Sequence, residues 1–332
     1  MAHLTEKENY LRCLRGEVPE WVPTMTFGGM MGPPELVPMI GGWEGERQDM
    51  FGVTYVTEKT INCGALPKPG VFILDDITKW RDVIKRPAIL DEIDWQLCAD
   101  RDLANYDPST ILSGSARVGN GYFEMLVSFL GFDNGLIACM EEPDEVKDLL
   151  NFILELNLEL GKKFLYYYKP ETSMGADDIA HERAPFISEE LFVDIFEPMW
   201  RQDIAIYKDA GCLAEHHNCG MFGPFVKYIV DMGYNAWNPA EAMNDLVAIK
   251  KEFGNKMVIS GGFDGRGFCS LPETTEEEIR AYTKKVLDDL APGGGYCFGG
   301  FISGPVGDPE ETARRNEWVR DVYESLKFSY YE

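Results

Sequence analysis

The chain has 332 residues, and 31 basic against 56 acidic side chains give it a formal charge of −25. That balance disfavours nucleic acid and anionic membrane surfaces as partners, since both need a basic footprint. Hydrophobic residues at 45% and aromatic residues at 12% supply a sizeable core and argue against disorder.

The first element is a helix from Thr5 to Arg15, ended by Gly16. Pro19 to Gly42 follows, rich in Pro, Gly and Met, and is expected to be irregular. Its apolar content (Trp21, Met25, Phe27, Met30, Met31) means that it packs over something, either as plain packing or as a lid or pocket wall. From about residue 108 short β-prone runs alternate with longer helical ones. Ile111 to Ser115 reads as a strand and Pro143 to Tyr168 as a helix with acids early and lysines late. Glu171 to Asp178 is a strand ending in two carboxylates. Ser188 to Asp209 is a helix, with Ser188 as N-cap. Then come strand Cys212–Cys219, helix Phe222–Met232, strand Tyr234–Trp237 stopping at Pro239, and helix Ala242–Phe253. Strand Met257–Ser260, helix Thr275–Leu290, strand Gly295–Phe301 and helix Pro309–Lys327 complete the chain.

This alternation means βαβ units and a parallel sheet. A closed barrel is favoured over an open sheet because no G-x-G-x-x-G follows a strand. Polar residues also collect at the C-terminal ends of several strands: Asp177/Asp178, His217/Cys219, Asn238, Asp264/Arg266 and Cys297. The expected fold is an α/β (β/α)8 TIM barrel, a single domain over residues 1–332 with an irregular N-terminal extension. Residues 1–107 are expected to be partly irregular and to cover the barrel mouth.

The chemistry centres on Glu215-His216-His217-Asn218-Cys219-Gly220 and on Cys297 in a glycine-dense segment. An extended strand turns residues i and i+2 to one face, so His217 and Cys219 project together. With Cys297 arriving from a later strand they form a three-ligand zinc site whose fourth position stays open, as catalytic zinc requires. The alternative is two core cysteines and a satisfied histidine. His216 faces the other way. Glu215 shares the face of His217, one step deeper, and either orients the imidazole or serves as a fourth ligand. Of Asp177 and Asp178 one points inward, as a substrate-positioning group or acid/base, unless both merely cap loops or helices. Glu182 is a candidate to reach metal or substrate. Asp264 is either a substrate contact or a turn former. The remaining cysteines (Cys13, Cys63, Cys98, Cys139, Cys212, Cys269) have no ligand-like context. No apolar run approaches the roughly 20 residues of a membrane span, and Met1–Lys7 lacks a secretory pattern. With cysteines unframed, a reducing cytoplasm is expected.

Several segments together resemble the uroporphyrinogen decarboxylase superfamily, and within it the corrinoid-dependent zinc methyltransferases. They are Arg15-Gly16-Glu17-Val18-Pro19 with Val22-Pro23, Asp49-Met50-Phe51-Gly52-Val53, Gly131-Phe132, Asp177-Asp178, Leu191-Phe192 with Pro198, and His217-Asn218-Cys219-Gly220. The resemblance implies zinc on His217, Cys219 and Cys297. Decarboxylases of the superfamily carry an N-terminal R-Q-A-G-R motif for an acidic tetrapyrrole; here the matching region, Thr24 to Met31, is neutral and apolar. The resemblance further implies a methyl group passed from a methoxyaromatic such as vanillate, veratrol or guaiacol to the Co(I) corrinoid of a separate protein. Catalytic candidates are then Asp177, Asp178 and Glu182, with Asp264, Met25 and Phe27 binding substrate. The alternatives are a methylcobamide:thiol methyltransferase and a decarboxylase. The oligomeric state stays open, a homodimer being one arrangement.

Overall fold

The computed structural model describes residues 4–24, 29–30, 32–33, 36, 44–57, 65–104, 106–107, 113–116, 121–303 and 307–331. The barrel strands are β1 (Gly29–Met30), β5 (Ser113–Ala116), β6 (Thr172–Ala176), β7 (Leu213–His217), β8 (Ala236–Ala240), β9 (Val258–Gly261) and β10 (Tyr296–Phe298). They pair in parallel in the order β1-β5-β6-β7-β8-β9-β10. Thr24 forms a parallel bridge to Phe298, so the segment holding β1 touches both ends of the series and closes the ring. This is the TIM-barrel architecture, with seven named strands among the described residues. A small antiparallel sheet, β2 (Gly45–Gln48), β3 (Thr54–Thr57) and β4 (Leu66–Pro67), stands apart.

The helices are α1 (Glu6–Leu14), α2 (Trp80–Val83), α3 (Trp95–Leu103), α4 (Tyr122–Leu130), α5 (Phe132–Glu141), α6 (Pro143–Tyr167), α7 (Glu189–Leu191), α8 (Glu197–Asp209), α9 (Val226–Met232), α10 (Leu246–Phe253), α11 (Glu276–Leu290) and α12 (Pro309–Leu326). In α6 the buried positions Val146, Leu149, Leu150, Ile153, Leu154, Leu160 and Phe164 recur at helical spacing. That stripe seats the helix on its neighbours, each such side chain contributing about 2 kcal/mol. No single helix among the described residues is long and apolar enough to cross a membrane.

Three expectations change. The run from Ser188 is interrupted between α7 and α8 by a π turn, Phe192–Phe196. Pro198 lies just beyond; it donates no backbone hydrogen bond and its ring crowds the carbonyl four residues back, which a wider turn accommodates. Strand β8 runs through Pro239 rather than stopping there, at a register shift between Trp237 and Ala240 where a ladder N–H is not needed. The Pro/Gly/Met-rich stretch contributes Thr24 and β1 to the barrel ring, a pairing too short for a periodic signal.

The N-terminal region also supplies the floor of the barrel. Helix α1 closes the floor of the barrel: Tyr10, Leu11, Cys13 and Leu14 pack on Ala236, Val258 and Cys297, with Leu213 beside them. Leu213, Ala236 and Val258 begin their strands, so this is the end opposite the mouth. Residues further on run along α6, where Trp80 meets Phe152, Trp95 meets Phe164, and Arg86 pairs with Glu159. Met25 and Phe27 lie outside the described residues.

Helix α1 begins with a reciprocal cap. The Thr5 hydroxyl accepts from the Glu8 N–H at 3.2 Å, and the Glu8 carboxylate accepts from the Thr5 N–H at 3.0 Å. Thr5→Ala should therefore cost about 1 kcal/mol, read as a lower urea midpoint with unchanged slope.

Candidate metal centre

In a parallel sheet paired residues share a face. The register Met174–Glu215–Ala236 and Ala176–His217–Asn238 therefore marks two lumen layers, the second nearer the mouth. The alternate residues point outward into the shell between sheet and helices. His216 is one of these, packed on Trp200, Phe222 and Tyr234 at centroid distances of 4.3, 5.3 and 5.1 Å.

Where β7 ends, the chain turns so that Cys219 returns to the side of His217. Their donor atoms, Cys219 Sγ and His217 Nε2, are 3.6 Å apart. The Cys219 N–H donates to Asp178 Oδ1 at 2.8 Å, which locks the turn to the end of β6. Gly220 completes it with φ +77°; a Cβ there would stand 2.7 Å from the His181 carbonyl oxygen, so only glycine fits comfortably. Asp178, His217 and Cys219 offer one donor atom each, all within 4.8 Å of one another and all half-buried.

The donor set fits a zinc ion. Sulfur at about 2.3 Å and nitrogen at about 2.0 Å on a tetrahedral centre lie about 3.5 Å apart, close to the spacing found. The surrounding charge fits as well. Glu241 accepts from the Gly220 N–H, and Arg266 reaches its other oxygen at 3.6 Å. Glu124, at the start of α4, is pushed up to about 8 by burial and by Asp178 and Asp177. Burial, Asp178 and Glu241 push the Cys219 thiol upward. Carboxylates crowded on a thiol and an imidazole repel one another unless a cation shares the space, and a dication would draw the proton off Cys219.

Cys297 is not brought to this group. Its side chain does face the lumen, but in the floor layer with Ala236 and Val258, its Sγ 3.9 Å from the Sγ of Cys13. Burial and Cys13 push its thiol well up. Strand alternation gives the face of a residue, not its height along the barrel, and Cys297 is low.

The other candidates divide similarly. Asp177 points out of the lumen. Its oxygens accept from the N–H groups of Phe123 and Glu124, both at 3.1 Å, and from Trp200 Nε1 at 2.9 Å. It caps α4 and binds α8; Gly121 is required beside it, because a Cβ there would lie 2.2 Å from its side chain. Asp264 accepts from the N–H groups of Gly267 and Phe268, so it forms the turn. Glu182 is exposed, 3.6 Å from the Arg183 guanidinium.

Sequence reasoning gave no role to Glu124, Glu241 or Tyr10, and marked Asn238 only as a polar strand end. Glu241 could have been found as an acid directly after a barrel strand. Asn238 Oδ1 faces His217 Nδ1 at 3.0 Å, and its Nδ2 donates to Glu215 Oε2 at 3.0 Å. The Tyr10 hydroxyl donates to that same oxygen at 2.8 Å. Burial pushes Glu215 up to about 7, against the pull of these two bonds.

The uroporphyrinogen decarboxylase (URO-D) family model matches residues 121–312, a span that holds Asp178, His217 and Cys219. Among solved structures, a methyltransferase from Methanosarcina mazei is similar, with 13% identity and a TM-score of 0.67 over 98% of this chain and 99% of that one. At that identity the likeness is one of fold. No curated protein matches the chain.

Asp177→Ala should destabilise the protein by about 3 kcal/mol, since it strips partners from two helix-start N–H groups and a buried indole. Urea unfolding checks this; a change below about 0.5 kcal/mol would deny the capping role.

Proposed function

The chain belongs to the uroporphyrinogen decarboxylase family, and on that premise we propose that it is a zinc methyltransferase that takes a methyl group from a methoxyaromatic compound. The acceptor is the Co(I) corrinoid of a partner protein. The observation that carries the reading is the three-donor group Asp178, His217 and Cys219 at the barrel mouth. Active sites of TIM barrels lie at that end, and three protein donors leave a fourth position for substrate.

Zinc bound there would supply a Lewis acid to the ether or phenolic oxygen of the substrate. The protein's own residues do the rest. Asp178 holds the Cys219 backbone and offers a carboxylate oxygen to the group. Glu124 lies beside Asp178, its carboxyl pushed up by burial and by the Asp178 and Asp177 charges, so a cation on Asp178 would ease its ionisation. Met174 and Ala176 line the lumen beneath with apolar surface, which suits a flat ring. The neutral segment Thr24 to Met31 offers no cations for an acidic tetrapyrrole, which favours methyl transfer over decarboxylation.

Metal analysis gives the first test. Purified protein should carry about one zinc per chain. Cys219→Ser and His217→Ala should lose it, whereas Cys297→Ser should retain it. A zinc-free Cys297→Ser protein, or a zinc-replete Cys219→Ser protein, would contradict the assignment. For the reaction, the protein is mixed with a reduced corrinoid protein and vanillate or guaiacol. The expected result is the demethylated phenol with matching methyl-cobalt absorbance. Turnover of methylcobalamin with a thiol, and none of the ethers, would overturn the substrate class.

A further inference from the structure

We propose that Asn238 is a positioning residue that fixes His217 in the Nδ1–H tautomer, and that Glu215 and Tyr10 set the direction of its amide. The inference rests on His217 being a metal ligand through Nε2. An amide side chain has one donating end and one accepting end. The donating end of Asn238 is spent on Glu215 Oε2 at 3.0 Å, and the Tyr10 hydroxyl donates to that oxygen at 2.8 Å. Asn238 Oδ1 is therefore left facing His217 Nδ1 at 3.0 Å. An acceptor at that distance is satisfied only by an N–H. With the proton on Nδ1, the Nε2 lone pair points to the side where Cys219 Sγ lies 3.6 Å away, and it is the atom free to bind a metal.

The reversed amide is disfavoured. It would set Oδ1 against the oxygen of Glu215, which already serves as an acceptor for Tyr10, and leave the imidazole to accept instead. Glu215 and Asn238 are buried, so no solvent softens the mismatch. The series Tyr10, Glu215, Asn238, His217 thus runs from the floor helix to the mouth and carries one polarity. The Tyr10 hydroxyl donates to the same oxygen of Glu215 as the Asn238 amide, which keeps that oxygen an acceptor.

The test reads the tautomer directly in metal-free protein, so it is separable from the zinc reading. Long-range proton–nitrogen NMR of 15N-histidine protein has four histidines to resolve, and His217→Gln identifies the relevant one. In the wild type, His217 should show a protonated Nδ1 and an unprotonated Nε2. Asn238→Leu should yield a mixture or the opposite tautomer and weaken zinc at least tenfold in chelator competition. The paired exchange Asn238→Asp with Glu215→Gln keeps an acceptor toward Nδ1 and a donor behind it, and should restore the wild-type tautomer and most of the affinity. Glu215→Leu removes the acceptor that orients the amide and should let a second tautomer appear, and it decides the matter if Asn238→Leu does not fold. An Nε2-protonated wild type, or wild-type tautomer and affinity in Asn238→Leu or, failing that, in Glu215→Leu, would overturn the proposal. A wild type with the expected tautomer but no zinc would instead sink the metal assignment alone.

Discussion

The imidazole of His217 and the thiol of Cys219 are held 3.6 Å apart by a turn that only a few contacts permit. Strand β7 stops at His217, so the alternation of a strand no longer governs Cys219. What returns the thiol to the lumen side is the hydrogen bond from its N–H to Asp178, with Gly220 in the left-handed region just behind it. The same carboxylate group that anchors the turn supplies the third donor. Position and ligation thus depend on one interaction between the ends of two neighbouring strands, β6 and β7, whose register is set several residues deeper in the sheet.

Charge completes the account. Asp178, Glu124 and Glu241 crowd the thiol and imidazole in partly buried surroundings, and Arg266, paired with Glu241, offsets part of that charge at Cys219. Such a cluster is costly without a cation and favourable with one. Beneath it, the lumen is layered. The layer of Glu215, Ala236 and Val258 rests on α1, which seals it with apolar contacts and with the Tyr10 hydroxyl on Glu215. The layered filling makes the mouth, not the floor, the place for chemistry.

Much of the helical frame was legible because its signals are local. Helices α6 and α11 start and end close to where caps and periodicity put them. The pairing of an inward Asp178 with an outward Asp177 follows from strand alternation, as does the outward turn of His216. What escaped is non-local. Height along the barrel depends on the stagger between strands, so Cys297 shared a face with His217 but belonged to the floor. Tyr10 and Glu215 meet from positions 205 residues apart, and no spacing rule connects them. Strand β1 has two residues among those described, fewer than any periodic pattern needs, although it helps close the ring.

The most direct measurement is zinc K-edge X-ray absorption on zinc-loaded protein. One sulfur at about 2.3 Å, with the remaining neighbours nitrogen or oxygen at about 2.0–2.2 Å, is the result this account predicts. Two or more sulfur neighbours would place a second cysteine on the ion and contradict a centre built from His217, Cys219 and Asp178.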